Sequence, residues 1–172
     1  MRVLLSVGGG GRSAHFPAVA GDKAKRARLA RALAALVEAH ELDGVDLDWE
    51  APRTEDEMTD YVRLLKAVRR RLHPSSAGGG GAPRRKLVTV AVHPGQRLPP
   101  AAVKAVDRVH LMAYDMQTTA HLTAQQQRAV GGSQGHATAS GAEAAARQQL
   151  GFGVPASKLV LGIPAYGRHL VT

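Results

Sequence analysis

The chain has 172 residues, 44% hydrophobic and 22% charged, enough to bury one core without disulfides or a structural metal. It has no Cys, hence no thiolate chemistry and no disulfide framework, and no apolar run approaches the ~18 residues of a membrane span, which excludes an integral membrane protein. The formal charge of +9 invites a nucleic-acid reading, but eight of the 14 acidic residues fall between Asp43 and Asp60 while the 23 Lys and Arg are spread along the chain, so the unusual feature is an acidic island.

Residues 1 to 7, MRVLLSV, are too short for a leader and run into glycines, so RVLLSV at 2 to 7 reads as a buried strand. The glycines Gly8 to Gly11 lack the Gly-Lys-Ser/Thr of a phosphate loop, and Ser13 spoils a GxGxxG match, so no nucleotide cofactor is expected. Leu29, Leu33, Leu36 and Val37 stand at helical spacing within residues 23 to 40. A second strand follows at 44 to 49, GVDLDW. Thr54 and Glu57 form a capping box before a helix whose face carries Met58, Tyr61, Val62, Leu65, Val68 and Leu72.

Residues 73 to 85, with four consecutive glycines, read as a flexible connection. The basic runs beside it, Arg69 to Arg71 and Arg84 to Lys86, contain no aromatic residue to stack a base and read as a solvated face. Strands are expected at 86 to 92 (KLVTVAV), 107 to 114 (DRVHLMAY) and 158 to 163 (KLVLGI). Residues 117 to 139 show no period, and a loop that long is usually functional or mobile. Ser140 and Glu143 repeat the capping signature before an Ala-rich helix ending near Gly151 or Gly153. The eight histidines show no paired spacing such as HExxH, so no metal is expected. Strand and helix alternate throughout, which implies an α/β fold with a parallel sheet.

The second strand carries the chemistry. Alternation sends Val45, Leu47 and Trp49 to one side and Asp46, Asp48 and Glu50 to the other. In a parallel sheet both faces are normally covered, so an all-carboxylate face is anomalous. Successive inward α-carbons lie roughly 7 Å apart. Like charges that close in a partly dry site cannot all ionise cheaply, so at least one pKa should rise and a proton be shared. Glu50, last in the row, is the natural acid. His110, Met112 and Tyr114 share one strand face while Val109, Leu111 and Ala113 take the other, so Tyr114 can point inward. Trp49, on the outward side, reads as core packing.

Asp43, Asp46, Asp48 and Glu50 match the DxxDxDxE motif of family 18 glycoside hydrolases, the chitinases and their relatives, which the chain therefore resembles. Ser6-Val7-Gly8-Gly9 resembles that family's SxGG strand, Met112-Ala113-Tyr114-Asp115 its MxYD strand, and residues 161 to 168, LGIPAYGR, its seventh strand. The resemblance implies an incomplete (β/α)8 TIM barrel. Residues 1 to 172 would form about five parallel strands, the third to the seventh, with intervening helices, as one partial catalytic domain. Closure needs eight strands and about 250 residues; the remaining strands, and any export signal, are expected to lie outside the chain, leaving open sheet edges.

The same resemblance implies substrate-assisted, retaining hydrolysis of β-1,4-linked N-acetylglucosamine polymers. In that scheme Glu50 is the general acid, Asp48 steadies the acetamide N–H with Asp46 behind it, and Tyr114 holds the acetamide oxygen. Asp115, Met112 and Tyr166 would line the cleft, and Asp43, Ser6, Gly8 and Gly9 would support it. Chitin or an N-acetylglucosamine oligosaccharide is the expected partner of a secreted monomer, with no cofactor, metal, nucleic acid or membrane involved. Three alternatives stand beside this reading: an endo-β-N-acetylglucosaminidase, a non-catalytic chitinase-like lectin, and an inactive fragment.

Overall fold

The computed structural model describes residues 1–50, 52–73, 85–116 and 136–167. In chain order the elements are β1 (Leu4–Gly8), α1 (Phe16–Ala20), α2 (Lys23–Ala39), β2 (Gly44–Asp48), α3 (Glu55–Leu72), β3 (Leu87–Val92), α4 (Pro100–Ala105), β4 (Arg108–Met112), α5 (Ala139–Gly151) and β5 (Leu159–Gly162). The five strands form one parallel sheet in the order of the chain, each hydrogen-bonded to the next. Sequential parallel strands joined by crossovers make the wall of a barrel. Ser6, Asp46 and Thr89 stand in one register row, and Ala91, His110 and Val160 in another.

All five expected strands are present. Their outward residues Val45, Leu47, Val88, Val90, Val92, Val109 and Leu111 are wholly buried under the helices. From α3, Tyr61, Leu64, Leu65 and Val68 meet them, also fully buried; each such side chain contributes about 1.5–3 kcal/mol by leaving water. Trp49 is 2% exposed and lies between Phe16 and Tyr61, ring centroids 5.2 and 5.3 Å away, so it is core packing as its alternation implied. The buried Tyr61 hydroxyl donates to the Leu47 carbonyl at 2.7 Å, which ties α3 to the acidic strand.

The helix starts follow local chemistry. Asp22 caps α2 by accepting from the Ala24 and Lys25 N–H groups. Thr54 caps α3 by accepting from Glu57 N–H, and the Glu57 carboxylate accepts in turn from Arg53 N–H. The cap of α5 differs from expectation. Thr138, not Ser140, holds that position, accepting from Gly141 N–H at 3.1 Å, and Glu143 instead pairs with Arg147 one turn on. Two helices were not anticipated, α1 and α4, both short and with proline in the first turn.

Inside α5, Gln149 is fully buried. Its amide nitrogen lies 3.3, 2.7 and 3.0 Å from the carbonyls of His93, Pro94 and Gln96, in the turn after β3. The expected Gly-rich connection at 73 to 85 lies, except for His73 and Arg85, outside the described residues, as does residues 117 to 135 of the long segment after β4. Along the β5 edge Val160, Leu161 and Ile163 are exposed. No helix among the described residues is long and apolar enough to cross a membrane.

Candidate active site

The carboxylates gather where β1 and β2 end. At Gly8 a Cβ would stand 2.1 Å from the Asp48 carbonyl oxygen, and its φ of +111° lies in territory that side chains other than hydrogen rarely adopt. Only glycine lets β1 approach β2 this closely, and the next residue seals the contact, Gly9 N–H donating to Asp48 O at 2.8 Å. Gly9 and Gly10 then keep the space over the carboxyls open; Cβ atoms there would come 3.5 Å from Asp48 Oδ2 and 3.6 Å from Glu50 Oε1. Ser13 pins the turn, its Oγ lying 3.2 and 3.1 Å from the Gly9 and Asp48 carbonyls and accepting from Glu50 N–H at 3.3 Å.

Asp46 is 7% exposed and has three donors. Ser6 Oγ lies 3.0 Å from Oδ2, while Thr89 Oγ1 at 2.5 Å and His110 Nδ1 at 3.3 Å approach Oδ1. Burial pushes its pKa up, but the hydrogen bonds from His110, Thr89 and Ser6 outweigh burial and leave it below the ordinary carboxylate value. Asp48 is the opposite case. Burial first, then the charges of Glu50 and Asp46, raise its pKa against a smaller opposing pull from His93, and its Oδ1 is buried with no hydrogen-bond partner among the described residues. Crowding thus raises the proton affinity of Asp48, while the groups around Asp46 lower its own.

Tyr114 follows β4 on the inward side, as alternation required. Burial, then the charges of Asp48, Asp115 and Glu50, raise its pKa, which puts its hydroxyl in the field of the carboxylates. Its ring meets Tyr166 edge-on at 6.1 Å, and Tyr166, 48% exposed, stacks on His136 at 5.2 Å. Asp115 takes a φ of +55°, an uncommon conformation that Asp tolerates. The His136 Nδ1 lies 3.3 Å from the Asp115 backbone nitrogen and 3.2 Å from its Oδ1, so the ring packs against Asp115. Met112 is half-buried on the same face.

Two clefts flank the row. One of about 440 Å³ is bordered by Gly11, Ser13, Trp49, Glu50, Arg53 and Glu57; the other, about 480 Å³, by His93, Tyr114, Asp115 and Met116 among others. Asp43 lies at the far end of β2, where its carboxylate accepts from Val3 N–H at 2.8 Å and its backbone bridges to Leu87. It therefore braces the strand and does not face the cleft. Among the described residues no group of three or more His, Asp or Glu has the arrangement to hold a metal ion. Sequence reasoning did not single out Thr89, Ser13 or His136, and placed His110 on the right face without a role. Their partners are distant in the chain, so no local spacing marks them.

A parallel sheet with this carboxylate row at the strand ends is a segment of a (β/α)8 barrel. The family model for glycosyl hydrolases family 18 matches residues 1–172, and the chain belongs to that family. It is 34% identical over 175 residues to Chitinase 1 of Aphanocladium album, covering 98% of this chain and 41% of that protein. Among solved structures it resembles a family 18 chitinase of Cycas revoluta in complex with (GlcNAc)3 (28% identity, TM-score 0.76, 95% of this chain and 49% of that one). It also resembles a chitinase-like agglutinin of Robinia pseudoacacia (26% identity, TM-score 0.74, 95% and 51%). The chain thus spans about two-fifths of the length of that curated relative.

Proposed function

We propose that the protein to which these residues belong hydrolyses β-1,4-linked N-acetylglucosamine polymers, with Glu50 as general acid. The observation that carries this reading is the unequal environment of the carboxylates along one strand face, where the groups around Asp46 lower its pKa while burial and the neighbouring charges raise that of Asp48 beside Glu50. Glu50 gives its proton to the glycosidic oxygen as the C1–O bond breaks. The carbonyl oxygen of the substrate's own acetamide attacks C1 and closes an oxazolinium ring. The row then carries one more negative charge, and this stabilises the positive ring. Asp48 Oδ1, buried and without a hydrogen-bond partner among the described residues, is the acceptor for the acetamide N–H, and the Tyr114 hydroxyl, kept protonated by its surroundings, donates to the acetamide oxygen. Water opens the ring with retention and returns a proton to Glu50.

Support for the substrate comes from the relatives, one a chitinase by name and one seen with (GlcNAc)3. The similarity to an agglutinin sustains a second reading, binding without cleavage. Release of reducing ends from chitooligosaccharide by the purified chain, compared with Glu50→Gln, separates the two. Hydrolysis predicts turnover that falls by about 10²–10⁴ in the variant while binding persists. Binding with no turnover in either protein overturns the enzymatic reading, and binding to DNA that weakens with salt overturns both.

A further inference from the structure

The cleft has few aromatic rings to draw on. Of one Trp, three Tyr and two Phe, Phe16, Trp49 and Tyr61 pack together in the core, and Phe152 ends α5 beneath Arg97. Tyr114 and Tyr166 remain at the strand ends, and a third ring, His136, joins them from outside the strands. The His136 ring stacks on Tyr166 with centroids 5.2 Å apart and planes 24° from parallel, and Tyr166 meets Tyr114 edge-on at 6.1 Å. Tyr114 in turn lies over β5, where a Cβ at Gly162 would come 3.2 Å from its Cε1. His136 is itself fixed to the end of β4. Its carbonyl accepts from Met116 N–H at 3.1 Å, and its Nδ1 lies 3.3 Å from the Asp115 nitrogen. Two residues on, Thr138 caps α5. A Cβ at Gly141, in the first turn of that helix, would come 3.0 Å from Met116 Cε, so the helix start packs on the same strand end.

We propose that His136 is a positioning residue for the cleft wall: by stacking on Tyr166 it fixes that ring against Tyr114, so that a sugar meets a preset surface and not a swinging side chain. The His136 side chain is 13% exposed and Tyr166 is 48% exposed, so the first is placed to hold and the second is both held and within reach. A ring ordered before binding spares the ligand the cost of ordering it on contact. The bond from Met116 N–H to the His136 carbonyl is one that any residue at 136 could accept. What histidine adds is a flat ring of the right size on Tyr166, with a nitrogen beside Asp115. That Tyr166 faces an N-acetylglucosamine oligomer rests on the reading above; the stacking that holds it does not.

The test follows the ring signals of the three tyrosines by NMR in the purified, tyrosine-labelled chain, with Tyr61, buried in the core, as the reference for an intact fold. In His136→Ala the Tyr166 signals are expected to lose their ring-current shift and those of Tyr114 to move with them, while Tyr61 stays in place. His136→Phe keeps the stacked plane without the nitrogen and should restore both; His136→Asn keeps a polar atom near Asp115 without the ring and should restore neither. Chitooligosaccharide titrated into the same samples is expected to bind about 2–10-fold more weakly to the Ala and Asn variants, and within about twofold of the native chain to the Phe variant. In turnover KM rises by the same factor with kcat little changed. Tyr166 signals that are unaltered in His136→Ala, or restored by Asn and not by Phe, overturn the proposal, as does binding indifferent to His136 once the ring shift has gone. If His136→Ala does not fold, which Tyr61 reports, the Phe and Asn variants decide the matter. Stacking without oligosaccharide binding by the native chain leaves this inference standing and removes the substrate reading; binding and turnover with Tyr166 untouched by His136 does the reverse.

Discussion

Replacing Gly8 by alanine puts a methyl group where the structure holds a carbonyl oxygen. The new Cβ would lie 2.1 Å from Asp48 O and 3.0 Å from Phe16 Cε2. Ordinary carbon–oxygen contacts begin near about 3.3 Å, so roughly 1 Å must be recovered by driving β1 away from β2. The left-handed backbone costs about 1–2 kcal/mol. The overlap adds about 1–3 kcal/mol, and loss of the Gly9 to Asp48 hydrogen bond about 1 kcal/mol. The total is about 3–6 kcal/mol, and with a urea slope near about 2 kcal/mol per M the midpoint should fall by about 1.5–3 M. Trp49, the single tryptophan, is buried beside Asp48 and Glu50 and reports the transition by fluorescence. Gly11→Ala is the control, because Gly11 also has positive φ, +70°, but a Cβ there meets nothing within 4 Å. If Gly8→Ala is no more damaging than Gly11→Ala, close strand approach is not what the glycine provides.

Asp46→Asn should lower stability at pH 7 by about 2 kcal/mol, since hydrogen bonds to a charged acceptor are lost. The folded pKa of Asp46 is depressed, so its contribution is full above the ordinary carboxylate value and disappears as pH falls through the lower folded one; thermal unfolding at several pH values checks this. Asp48→Asn should act in the opposite sense. The folded pKa of Asp48 is raised, so the unfolded chain ionises first and stability is lost as pH climbs past the ordinary value; the variant should melt higher than the native chain at pH 7, and the gap should close in acid. Ser13→Ala should cost about 1 kcal/mol in urea unfolding and lower kcat more than it changes KM, since Ser13 Oγ joins Gly9, Asp48 and Glu50.

The strands were legible because each is an apolar, β-branched run, and the face of β2 because alternation is a strictly local signal. Long helices declared themselves the same way, through Leu33 and Val37 in α2 and Tyr61, Leu65 and Val68 in α3. The Phe16–Ala20 and Pro100–Ala105 helices are too short to show a period, and tertiary burial of Phe16, Ala102 and Val103 holds them. At α5 two cap signatures overlap, and Thr138 prevails because its Oγ1 reaches the first free N–H groups while Glu143 finds Arg147. The acid row could be read from one strand. What gives its members different proton affinities could not, because Ser6, Thr89 and His110 arrive from three other strands.

Gln149 extends that dependence beyond the barrel wall. Its amide grips the bend from His93 to Gln96, so the imidazole that eases Asp48 toward ionisation is set in place by the last described helix and not by its own strand alone. The acidity of the cleft is in this way adjustable from a site that touches no carboxylate. A shorter or apolar substitute at Gln149 would release the bend, let the ring drift, and alter the proton affinity of Asp48 while leaving every acidic side chain unaltered.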